Sequence, residues 1–251
     1  MLTRAGQAHA AFEAFPRGGL ADIAPAGGGI LVLAPHPDDE SLGCGGLIAL
    51  AARAGRMCTL ALLTDGDASH TGSVEWPRDR LATQRRAEAT RALDRLGHAP
   101  GRTIFLGLPD ASVPSAGPGF DTAVGLIADR AVRDGCESIV APWIEDPHCD
   151  HMACQLIARE VASRLGLRLW SYPVWGWLLQ ADAPLREPLS APPRGISIDI
   201  TSVLPRKRQA IAAHATQLGG VIVDAVSGFT LPDELLDACG RDVEILIEPV
   251  P

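Results

Sequence analysis

Ile30-Leu31-Val32-Leu33-Ala34-Pro35-His36-Pro37-Asp38-Asp39-Glu40 carries an apolar run straight into one imidazole and three carboxylates. Five consecutive apolar residues, bounded by Gly27-Gly28-Gly29 and by Pro35, fit a strand buried on both faces, as in a parallel sheet. In open α/β sheets, ligands bind at the carboxyl end of such strands. Three adjacent acids repel one another and resist burial unless a cation or hydrogen-bond donors compensate them. A divalent metal would do so.

Further along the chain, Cys58 to Thr64 is a second apolar run that ends at Asp65-Gly66. Between the two runs, Leu42 to Ala54 is rich in Ala and Leu and long enough for a helix, which makes a βαβ unit. Pro77 to Leu96 places Leu81, Ala89, Ala92, Leu93 and Leu96 at largely helical spacing and stops at Gly97. Thr103 to Leu106 reads as a strand, Asp121 to Arg133 as a helix, Ser138 to Pro142 as a strand and His151 to Arg164 as a helix. The alternation predicts an α/β, Rossmann-like, mostly parallel sheet with helices on both faces.

Beyond Leu167, the segments LRLWSYPVW (167–175), GISIDI (195–200) and VEILIEP (243–249) are strand-like, with a helix expected around Lys207 to Gln217. They are expected to extend or flank the sheet, partly antiparallel, so that 1–251 forms one domain. Residues 1–29 would be an N-terminal extension, and about 167–251 would supply the added strands and the elements bordering a pocket. Ala181 to Arg194, with four prolines, reads as a loop at such a border.

The chain has 251 residues and is 47% hydrophobic, enough for a sizeable core. Its net charge of -8 and lack of a long basic run argue against nucleic acid as a partner. The six cysteines (44, 58, 136, 149, 154, 239) form no C-x-x-C pair, as expected of reduced thiols in a cytoplasmic protein. No N-terminal apolar core of a signal peptide and no apolar stretch of about 20 residues is present, so no membrane anchor is expected.

About a hundred residues after the first acidic cluster, Ser138 to Trp143 runs into Ile144-Glu145-Asp146-Pro147-His148-Cys149-Asp150-His151. Parallel strands point the same way, so the two loops can meet above the sheet. His36, Asp39 and His151 then form a two-His, one-carboxylate set, which suits catalytic zinc with a position left for water. Ligand type alone also permits ferrous iron.

HPDDE after an apolar strand, a Gly-rich stretch, and a later H-x-D-H (148–151) resemble the PIG-L/LmbE family of zinc-dependent de-N-acetylases, which act largely on N-acetylglucosamine-type sugars. The resemblance runs from Ile30 to about Leu218. It includes Arg85-Arg86-Ala87-Glu88 with Leu96-Gly97, Leu108-Pro109-Asp110, and Lys207 to His214-Ala215-Thr216-Gln217. It implies an LmbE-like fold and a small amino-sugar substrate. His36, Asp39 and His151 become zinc ligands and Asp38 the general base. His148 becomes the residue that stabilises the oxyanion or protonates the leaving amine, with Asp150 behind it.

The same resemblance points Arg85 and Asp110 at sugar hydroxyls and lets His214 and Gln217 line the pocket. The plainer alternatives are a solvated helix charge for Arg85, a turn cap for Asp110, and structural hydrogen bonds for His214 and Gln217. Trp175 or Trp177 is expected as a pocket wall. One departure stands out: some relatives carry Tyr two residues before the H-x-D-H motif, where this chain has Asp146.

Two rival readings remain at this level. Glu40-Ser41-Leu42-Gly43-Cys44-Gly45-Gly46 superficially matches the acid and glycine-rich turn of an S-adenosylmethionine-dependent methyltransferase. Close backbone packing is the simpler account of those glycines. The other rival is a catalytically silent sugar- or metal-binding module, which the presence of Asp38 disfavours.

Overall fold

The computed structural model describes residues 3–187 and 191–249, so 188–190 of the proline-rich loop lie outside the described residues. In chain order the elements are α1 (Ala5–Glu13), β1 (Arg17–Gly18), α2 (Leu20–Ile23), β2 (Gly29–Ala34), α3 (Asp39–Arg53), β3 (Cys58–Thr64), β4 (His70–Thr71), α4 (Arg78–Leu96) and β5 (Thr103–Leu108). There follow α5 (Gly117–Arg133), β6 (Cys136–Pro142), α6 (Cys149–Leu165), β7 (Arg168–Tyr172), β8 (Gly195–Asp199), α7 (Leu204–Ile211), β9 (Ser227–Gly228), α8 (Asp233–Cys239) and β10 (Val243–Ile247). Short 3₁₀ turns lie at Trp175–Leu178 and Ala215–Gln217.

Among the described residues, eight strands form one sheet in the order β1-β8-β10-β7-β6-β2-β3-β5. The run from β7 to β5 is parallel. As expected, the C-terminal strands extend this sheet; β10 runs antiparallel to both of its neighbours, β7 and β8. Successive side chains of β2 serve two cores: Ile30, Val32 and Ala34 pack with α3, α4 and α7, and Leu31 and Leu33 pack with α5 and α6. This two-sided burial explains the unbroken apolar run.

The N-terminal extension has a structural task. Ala8 and Phe12 of α1 pack with Trp143, Ile245 and Ile247, and β1 pairs with the edge of β8. No helix among the described residues is long and apolar enough to cross a membrane.

Two local features depart from the sequence reading. Helix α3 begins at Asp39, three residues earlier than expected, so the acidic motif itself forms the first turn. The helix expected over 207–217 ends at Ile211, and Ala215–Gln217 forms a separate turn. Long-range bonds explain the break. His214 Nε2 lies 3.0 Å from Glu40 Oε1, and Glu88 accepts from both the N–H and the hydroxyl of Thr216.

The glycines of α3 are packing positions. A Cβ on Gly43 would stand 2.1 Å from the Tyr172 ring, and one on Gly46 2.4 Å from Ile200. No cradle for a cofactor remains there. Gly43→Ala is expected to cost about 1–3 kcal/mol through overpacking, read as a lowered midpoint in denaturant. A midpoint equal to that of the parent would contradict this packing.

Strand order reverses at β2, which has β3 on one side and β6 on the other. A crevice therefore opens where the chain leaves β2 and β6. The two acidic, His-containing segments are the residues that follow those two strands.

Candidate metal centre

His36 leaves β2, Asp39 opens α3, and His151 lies in the first turn of α6. His36 Nδ1 is 3.1 Å and His151 Nε2 3.2 Å from the same atom, Asp39 Oδ2. The Nε2 of His151 is fully buried and has no hydrogen-bond partner among the described residues. Each imidazole is held from behind by acids. His151 Nδ1 is 2.9 Å from Asp146 Oδ2; His36 Nε2 is 3.1 Å from Asp150 Oδ2 and 3.2 Å from Asp110 Oδ1. Carboxylates behind imidazoles fix ring orientation in metal sites. Two nitrogens converging on one carboxylate oxygen, one of them buried without an aligned hydrogen bond, fit a divalent cation.

The electrostatics agree. Burial pushes the Asp39 carboxyl up, but His151 and His36 more than offset this and hold it well below the usual range. Burial also pulls His151 down, yet Asp39 and Asp146 raise it to about 9. His36 is raised by Asp110, Asp150 and Asp39 in spite of burial. This is a strongly anionic nest that two imidazoles alone only partly neutralise.

Asp38, the residue before α3, has a φ of 144°, in the left-handed region that L side chains rarely adopt. Such strain persists only where neighbours enforce it. Here Glu40 Oε2 accepts the Asp38 N–H at 2.9 Å, while its other oxygen takes the Ser41 hydroxyl at 2.7 Å and faces His214 Nε2. The carboxylate of Asp38 meets Arg85 at 3.1 Å. Burial raises the Asp38 pKa to about 6, with Arg85 opposing. Asp38 thus borders the donor set without an ion pair to either His36 or His151.

His148 caps α6, with its Nδ1 accepting the Asp150 N–H at 3.2 Å. Its ring centroid is 4.7 Å from that of His36 and 5.3 Å from that of His151. Burial and then the positive His36 and His151 lower its pKa. One nitrogen each of His36, His148 and His151 lies within 4.8 Å of the others, so His148 stands at the edge of the same centre.

Several expected roles are redistributed. Asp150 does not back His148 with its side chain. Its carboxylate faces His36 and accepts the N–H groups of Ala111 and Val113 at 2.7 and 2.9 Å. Asp110 also faces His36 and accepts the Ala68 N–H at 2.6 Å. Arg85 is 3% exposed, neither a solvated helix charge nor a free arm; it donates to Pro37 O, Gly66 O and Asp38. His214 is buried behind the metal loop against Glu40 instead of lining the pocket, because that acid needs a counter-charge.

A cavity of about 230 Å³ opens beside the centre, lined in part by His36, Asp38, Asp39, His148, Gln217 and Trp175. Arg85 and Asp110 also reach its wall. Trp177 packs elsewhere, edge-on to Phe12. Sequence reasoning missed the parts played by Glu40 and Asp146. Asp146 accepts the N–H groups of Val174, Trp175 and Gly176 as well as facing His151. The available signal was its place five residues before a metal-ligand candidate.

The sheet and the centre define an α/β protein with a candidate metal site at the strand-order switch. The chain belongs to the PIG-L family, whose model, described as GlcNAc-PI de-N-acetylase, matches residues 31–162. It is 27% identical to a 1D-myo-inositol 2-acetamido-2-deoxy-alpha-D-glucopyranoside deacetylase of Nocardia farcinica, over 78% of this chain and 82% of that protein. It is 28% identical to a 2'-N-acetylparomamine deacetylase of Streptomyces fradiae, over 76% and 74%. Among solved structures it is similar to a 4-carboxy-2-hydroxymuconate hydratase of Pseudomonas putida KT2440, with TM-score 0.61, 20% identity, and coverage of 89% of this chain and 97% of that one. That likeness concerns the fold alone, which does not by itself assign a reaction.

Proposed function

We propose that the protein removes an N-acyl group, in the simplest case acetyl, from an amino sugar or its conjugate, with zinc held by His36, Asp39 and His151. The observation that carries this reading is the convergence of two imidazoles on one Asp39 oxygen, with the separate carboxylate of Asp38 beside them on the cavity wall. The deacetylase relatives support the reaction class.

Zinc in such a site lowers the pKa of water and polarises an acyl carbonyl. The protein supplies the proton steps. Asp38, ionised above a pKa of about 6, takes a proton from the attacking water. Its raised pKa also suits it to return that proton to the leaving nitrogen. His148 has Nδ1 occupied by the Asp150 N–H, which leaves Nε2–H free to donate to the developing oxyanion. A neutral imidazole, favoured by its burial, performs that task.

The test is metal analysis of the purified protein together with acetate release from N-acetylglucosamine and its glycosides. Bound zinc with acetate release is expected. A metal-loaded protein inert toward every N-acyl sugar would sink the reading, and iron in place of zinc would correct the cofactor. For His148→Ala, turnover is expected to fall about 10²–10³-fold with metal retained. An unchanged rate would remove His148 from the mechanism.

A further inference from the structure

Resting on the amino-sugar reading, we propose that the substrate carries an apolar substituent, an acyl chain or an aglycone, that lies along the cavity wall formed by Leu42, Trp175, Phe229 and Leu231.

The polar groups that would bind a bare sugar are mostly occupied. The two terminal nitrogens of Arg85 donate to Gly66 O, Pro37 O and Asp38, and Asp110 is held between His36 and the Ala68 N–H. Gln217 also reaches the wall, but its Oε1 is buried and has no partner among the described residues. The remaining wall is apolar. Trp175 and Phe229 meet edge to face at 5.7 Å, while Leu42 and Leu231 line the same cavity. A free pyranose would set only one C–H face against part of that surface, and an alkyl group would cover the rest.

The wall is also built to stay in place. The Trp175 N–H is tied to Asp146 at 3.1 Å. The loops bearing Ala68 and Phe229 are joined by pairing of β4 with β9, and Asp224 accepts from the Ser73 hydroxyl and the N–H groups of Val74 and Glu75. The same two loops expose Val74, Val223 and Val226 at 81–88% of their surface.

The experiment compares hydrolysis of the methyl and hexyl β-glycosides of N-acetylglucosamine, and of N-acetyl- against N-hexanoylglucosamine. Each added methylene buried on the wall is expected to raise kcat/KM about fourfold. A preference in the first pair assigns the wall to the aglycone, and in the second to the acyl chain. Phe229→Ala is expected to reduce that preference. Calorimetric binding of hexyl against methyl β-glucosaminide, and of hexanoate against acetate, reads the wall without any turnover. Equal kcat/KM within both pairs, with equal binding, would overturn the inference while leaving the deacetylase reading intact. Chain-length-dependent binding without hydrolysis of any amide would do the reverse.

Discussion

Asp38→Ala is expected to keep the metal content of the protein and lose about 10²–10⁴-fold in turnover, whereas Asp39→Ala loses both metal and activity. The difference follows from one residue of chain. Asp39 Oδ2 is the atom on which both imidazoles converge, and the Asp38 carboxylate turns to Arg85. Because alanine at a φ of 144° is itself strained, Asp38→Asn provides the matched control, keeping the shape but not the base. The same assignment bears on pH. The base works only when ionised, so activity falls as pH drops through its pKa. Burial raises that pKa to about 6, and a cation on neighbouring Asp39 would lower it. The acid limb of kcat/KM is therefore expected at or below about pH 6. Loss of metal in Asp38→Asn, or a limb well above 6, would overturn the assignment.

Asp146→Asn is expected to weaken metal binding about 10–100-fold, measured by competition with a chromophoric chelator. Asp146 is fully buried, and its negative charge helps to hold His151 up at about 9. It accepts from four donors: His151 Nδ1 and three successive backbone N–H groups, those of Val174, Trp175 and Gly176. An amide in its place turns an NH₂ toward at least one donor, which costs more than the lost hydrogen bond because both groups are buried. The variant should also shift the emission of the tryptophans as the turn carrying Trp175 loosens. An unchanged metal affinity would show that His151 needs no such support.

The parts of this protein that were legible in its sequence are those encoded by neighbours in the chain. An apolar run ending in HPDDE, and another ending in a His- and Asp-rich loop, announce parallel strands and a shared ligand crevice. The parallel half of the sheet and the meeting of His36, Asp39 and His151 follow from that pattern. What stayed hidden depends on partners far away in sequence. Glu244 alternates within VEILI as though facing solvent. Instead its carboxylate is buried against Lys207 at 2.7 Å and accepts the N–H groups of Gly46 and Leu47. Glu40 looks like a third metal-site acid, yet it steadies the Asp38 backbone and pairs with His214, just beyond the end of α7. Arg85 and Asp110 carry the right chemistry for sugar hydroxyls, and only three-dimensional contacts reveal that both, though they reach the cavity wall, are also tied to partners within the protein.

The switch in strand order gives the centre a second consequence, in folding. Its proposed ligands come from segments roughly 110 residues apart, brought together only when β6 docks beside β2. An ion shared by His36, Asp39 and His151 therefore closes a long loop, as a removable cross-link would. Its free energy of binding adds to that of the native chain and scales with the logarithm of free metal once the site is saturated. With that ion bound, the proposed centre would double as a clasp across the middle of the sheet, and metal supply would set how far the chain resists unfolding as well as how fast it turns over.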